Sequence, residues 1–170
     1  MADQQHNNQE HPFLGAPEAR ILVIGYGNTL RGDDGLGVVA VERLQVMHSA
    51  PQITFVACHQ LSPELSLQLS EADYCLLLDA GHGEPAGAIS IREIKPDLTR
   101  TDTLHHHMPP EALLAYTGAL FGSAPRTWLC TINAASFDFQ EALSPAVERA
   151  LPALLKQIVA LIDRLRLEQS

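Results

Sequence analysis

The sequence predicts an α/β fold: a three-layer sandwich whose twisted sheet of five strands, mostly parallel with one antiparallel, lies between helices on both faces. Three features carry that expectation. Short apolar runs alternate with longer amphipathic ones through nearly the whole chain. The first short run, Ile21 to Ile24, passes directly into a glycine-rich turn, as a buried parallel strand does at its carboxyl end. The link between the third and fourth apolar runs, Gly81 to Ala86, is too short for a parallel crossover of about a dozen residues, so the fourth strand must run antiparallel.

The elements follow in order. A strand is expected over 20–26, then a helix over 34–48 with Val38, Val39, Val41, Leu44 and Val46 supplying a mostly apolar run and Glu42 and Arg43 on its wet side. Asp33 is placed to cap that helix, which leaves Asp34 pointing elsewhere. Strand 53–58, helix 62–71 and strand 74–79 come next, then strand 88–94, helix 109–121 and strand 127–132. Ser144 and Pro145 suit the N-cap and first position of a last helix over 145–167. Pro152 lacks the N–H that a regular interior uses, so a kink or restart is expected there.

Composition narrows the function classes. The chain has 170 residues, 46% of them hydrophobic, enough for one domain over 20–170. Residues 1–19 are polar, with Gln4, Gln5, Asn7, Asn8, Gln9 and Glu10, and lack the basic start and apolar stretch of a signal peptide. They read as a flexible tail on a cytoplasmic protein, expected to be a monomer. With 11 Lys and Arg against 20 Asp and Glu, the net charge of -9 argues against nucleic-acid binding and against anionic membranes. Cys58, Cys75 and Cys130 are odd in number, widely spaced and set among apolar neighbours, as buried free thiols are.

Chemistry is concentrated where strands end. Gly25-Tyr26-Gly27 follows a strand and precedes a helix, but Leu30 occupies the third glycine position of a dinucleotide fingerprint, and two carboxylates stand where a pyrophosphate needs bare N–H groups. No GxxxxGK[ST] phosphate loop is present. One Asp at a helix start is explained by capping; the second, Asp34, is the candidate for function. In a doubly wound sheet of order 2-1-3 the ligand crevice separates strands one and three, so Asp34, after strand one, and Asp79, ending strand three, should face each other across it. The run His105-His106-His107 supplies imidazoles before Met108-Pro109-Pro110. Two carboxylates and an imidazole suit nickel, zinc, cobalt or iron with positions left open. His59 could line the crevice or enter a helix; His6, His11, His48 and His82 read as surface residues.

Taken together these blocks resemble the hydrogenase maturation protease family, endopeptidases that trim the large-subunit precursor of nickel-iron hydrogenases. The resemblance rests on Gly25-Tyr-Gly-Asn-Thr-Leu-Arg-Gly-Asp-Asp-Gly-Leu-Gly37, His59-Gln-Leu-Ser-Pro-Glu-Leu65, Leu78-Asp-Ala80, His106-His-Met-Pro-Pro110 and Phe137-Asp-Phe-Gln-Glu-Ala-Leu-Ser-Pro145, and spans nearly all of 20–165. It implies a single protease domain whose catalytic carboxylates are Asp34 and Asp79, and metal contacts from Asp34, Asp79 and His106, with His105 or His107 able to replace His106 after a one-residue slip. The metal it implies is nickel carried by the substrate precursor, not a resident ion, and the partner it implies is that precursor. Aspartic-type and metal-dependent chemistry both remain open. Two readings from other classes use the same residues: a module that escorts the nickel-loaded precursor without cutting it, and a hydrolase of small molecules with its own metal.

Overall fold

Strands buried on both faces have no wet side, so they read as continuous apolar runs. Such runs form the centre of this molecule. The structure, a computed structural model, describes residues 18–99 and 108–168; the expected tail over 1–19 and all three residues of the His105–His107 run therefore fall wholly or almost wholly outside the described residues. In chain order the elements are β1 (Ile21–Tyr26), α1 (Leu36–Met47), β2 (Ile53–Cys58), α2 (Ser66–Glu71), β3 (Tyr74–Gly81), β4 (Ile89–Ile94), α3 (Pro110–Phe121), β5 (Arg126–Asn133) and α4 (Pro145–Leu167). Turns of 3-10 helix over Gly32–Gly35 and Pro63–Leu65 lead into α1 and α2, so both α-helices start later than the sequence suggests.

The sheet order is β2-β1-β3-β5-β4. Every neighbouring pair is parallel except β4 with β5. The short link after β3 thus does force an antiparallel strand, which pairs with β5 rather than with β3.

Alternation along the central strands sorts the core into two layers. Ile21, Val23, Leu76, Leu78, Trp128, Cys130 and Ile132 face α1 and α4. Leu22, Ile24, Cys75 and Leu77 face α2 and α3, meeting Leu69, Leu113 and Leu114. Leu76, Leu77 and Leu78 are essentially solvent-free, and each contributes roughly 1.5–3 kcal/mol through removal of its side chain from water. The helix 145–167 begins as expected, with the Ser144 hydroxyl accepting from the Val147 N–H. It then runs without interruption through Pro152, so no restart occurs there. Burial of Leu151, Leu154, Leu155 and Ile158 along one stripe holds the turn that contains the proline.

Cys75 and Cys130 are buried free thiols; burial pushes the Cys75 thiol up and that of Cys130 up to about 12, and Cys58 is half-buried. Among the described residues no helix is long and apolar enough to cross a membrane.

Candidate active site

Gly25 of β1 is paired with Leu78 of β3, so Tyr26, the last residue of β1, and Asp79 stand at the same level, where β3 runs on beside β5 to Gly81. The loop after β1 must then fold back tightly over these strand ends. Gly27 makes this possible in two ways. It adopts φ +135°, outside the range side chains tolerate, and a Cβ there would overlap the Asp34 carbonyl oxygen. Gly37 plays the corresponding part at the start of α1, where an added Cβ would strike the Leu78 carbonyl oxygen and the Tyr26 backbone. Backbone against backbone, α1 is seated over the carboxyl ends of β1 and β3, and Asp34 is delivered beside Asp79.

The two adjacent acids have separate tasks, but Asp33 does not cap α1. That helix has Gly35 at its N-cap position and no side-chain cap bond. Asp33 is instead fully buried and accepts from three backbone N–H groups of a distant segment: Ala135 at 2.7 Å, Ser136 at 3.2 Å and Ser144 at 2.6 Å. The Gly32 and Asp33 N–H groups donate in return to the Gln140 and Ser136 carbonyls at 2.7 and 3.1 Å. Asp33 thus fastens the 134–144 segment to the turn that carries Asp34. No local sequence pattern announces this partner, which lies more than a hundred positions away.

Asp34 and Asp79 line one cleft of about 970 Å³ at the carboxyl edge of the sheet. The Asp34 Oδ2 accepts from the Asn28 N–H at 2.9 Å, and the Asp79 Oδ1 accepts from the Ala80 N–H at 2.7 Å. Burial is the main reason that the Asp79 carboxyl is raised from 3.8 to about 6. Hydrogen bonds from the Tyr26 hydroxyl and Ala80 N–H oppose the rise, the Asp34 charge adds to it, and His82 opposes it. Tyr26 is itself held well above its ordinary value by burial and by the Asp79 charge.

The cleft includes residues that the sequence alone did not single out. His82, assigned to the surface, is exposed but stands in the cleft wall, its ring stacked on Phe137 with centroids 5.0 Å apart and planes at 29°. Tyr26, Arg92, Glu111 and Phe137 also line it, and His59 occupies the crevice position that was one of its two alternatives. Glu111 is buried and takes an ion pair from Arg92 at 3.4 Å. The signal for His82 was its place three residues beyond Asp79, past the end of the same strand. His48 is half-buried and faces Asp163 at 3.5 Å, on the side of α4. His105, His106 and His107 lie outside the described residues, and among the described residues no three His, Cys, Asp or Glu side chains are gathered to hold a metal. The geometry brings two of the three expected metal contacts to one cleft.

No protein-family model and no curated protein matches this chain. Solved structures do. The hydrogenase maturating endopeptidase HybD from E. coli superposes with a TM-score of 0.72 at 25% identity, over 85% of this chain and 93% of that one. The [NiFe] hydrogenase maturation protease HycI from Thermococcus kodakarensis gives 0.71 at 23% identity, over 86% of this chain and 94% of its own. An endopeptidase from Escherichia coli gives 0.70 at 24%, over 83% and 90%. The chain has the fold of the hydrogenase maturation proteases, the family its motifs resemble.

Proposed function

We propose that this chain is an endopeptidase that removes the C-terminal extension from the nickel-loaded large-subunit precursor of a nickel-iron hydrogenase, using the substrate's nickel as the recognition mark. The observation that carries the proposal is the meeting of Asp34 and Asp79 in one cleft, from two motifs far apart in sequence, on a fold shared with endopeptidases of hydrogenase maturation.

In this reading Asp34, Asp79 and His106 contact the nickel centre that the precursor brings. Two carboxylates and an imidazole form an oxygen and nitrogen set suited to nickel, and they leave positions open for the ligands the substrate already supplies. A precursor without metal would leave the cleft's two carboxylates facing one another with no cation between them, and docks poorly. Once docked, the peptide bond lies beside a metal able to polarise its carbonyl or a water, and beside a carboxylate able to take the water's proton.

Purified protein incubated with nickel-loaded and nickel-free precursor tests this directly. The loaded large subunit should shorten and the empty one should not, as read by mass spectrometry. Large subunit of unchanged mass in both samples refutes the proteolytic role, and stable capture of the loaded but uncut precursor would make the chain an escort instead.

A further inference from the structure

Hydrolysis of a peptide bond requires a proton for the departing amine as well as activation of the water. A carboxylate that has taken the water's proton becomes a donor in its turn, but it must carry that proton from the water's side to the nitrogen before the bond can break. A second cleft group that already holds a proton on the amine's side removes that transfer. Arg31 and Arg92 line the cleft, but a guanidinium does not release a proton under ordinary conditions. Tyr26 is held protonated by burial and directs its hydroxyl at Asp79. Glu111 is engaged with Arg92, and His59 follows β2, with β1 standing between it and β3. His82 is solvent-accessible, lines the same cleft as both carboxylates, and is near enough to Asp79 for its charge to act on it. Its ring is set by stacking on Phe137, from the segment that Asp33 fastens to the Asp34 turn. Imidazole is the side chain best suited to give and regain a proton near neutrality.

We propose that His82 is a further catalytic residue, the general acid that protonates the departing amine. The inference rests on the proteolytic reading above. As the water oxygen bonds to the scissile carbonyl carbon, its proton passes to a cleft carboxylate. The carbon–nitrogen bond then breaks, its electron pair stays on nitrogen, and the imidazolium of His82 supplies the proton that nitrogen takes. The carboxylate's proton returns to His82 through solvent, so one water is consumed and both groups end as they began.

The test uses the full chain and nickel-loaded precursor. His82→Ala should lower the cleavage rate at saturating precursor by about 100-fold or more, leave KM unchanged, and regain part of the rate when free imidazole is added. His82→Gln, which keeps bulk against Phe137, replaces the alanine variant if that one loses its fold, and should show the same fall at unchanged KM. Cleavage at the wild-type rate overturns the assignment, as does a loss confined to KM, which would mark His82 as a docking group. Lost turnover in the folded alanine variant that imidazole does not restore overturns it too. Wild-type protein that leaves the precursor intact removes the proteolytic reading and this inference together, whereas wild-type cleavage with an indifferent His82 removes this inference alone.

Discussion

Replacing Asp79 with Asn should make the protein more stable and inactive at the same time. In the folded chain the Asp79 carboxyl is raised from 3.8 to about 6, chiefly by burial, so ionisation is harder in the native state than in the unfolded one. Its contribution to stability is therefore fully present below pH about 4 and is lost as pH rises through about 6. At 1.36 kcal/mol for each tenfold change in the proton equilibrium, the displacement corresponds to about 3 kcal/mol at neutral pH. An amide cannot ionise, yet its Oδ1 still accepts from the Ala80 N–H and can accept from the Tyr26 hydroxyl. Urea unfolding followed through Trp128 fluorescence, at pH 3.5 and pH 7.5, measures the difference between variant and wild type. The expected result is near equality in acid and a variant more stable by up to about 3 kcal/mol at pH 7.5, with no processing at either. A variant less stable than wild type at pH 7.5, or a difference that ignores pH, would refute the reasoning.

Asp33→Ala should do the reverse, because it strands three N–H groups around a buried position; at roughly 1.5 kcal/mol each the loss is about 4–5 kcal/mol, and amide exchange at Ala135, Ser136 and Ser144 should accelerate. Exchange rates unchanged at those three amides would contradict the tether. Gly37→Ala should destabilise severely, since its Cβ meets the Leu78 carbonyl and the Tyr26 backbone, whereas Gly118→Ala in α3, with open space around it, should gain about 0.5–1 kcal/mol; thermal melts that rank the two the other way would be incompatible with the backbone packing described. Single alanine changes at His105, His106 and His107 should abolish precursor processing at His106 alone, and selective loss at His107 would move the nickel contact by one residue.

Local chemistry was sufficient to read most of the fold. Apolar runs placed all five strands, and the shortness of the link from Gly81 to Ala86 dictated the one antiparallel direction. Asp34 and Asp79 were legible because a strand order of 2-1-3 leaves few places for a crevice, and the sheet has that order. What the sequence hid was long-range. Asp33 looked like a helix cap because its true partners, at 135, 136 and 144, are brought to it only by folding. His82 is at the surface as read, but its place in the cleft wall was hidden because its stacking partner Phe137 belongs to that same returning segment. Pro152 signals a break that one-sided burial of the surrounding leucines overrides.

The triple anchorage of Asp33 has a mechanical consequence. The same anion holds the segment bearing Phe137 and the residue that opens α4, so that side of the mouth is a fixed jaw. Prising it outward would strip a deeply enclosed negative charge of its donors and fray the first turn of α4 together. The width of the cleft on this flank is therefore preset, and whatever enters must match it.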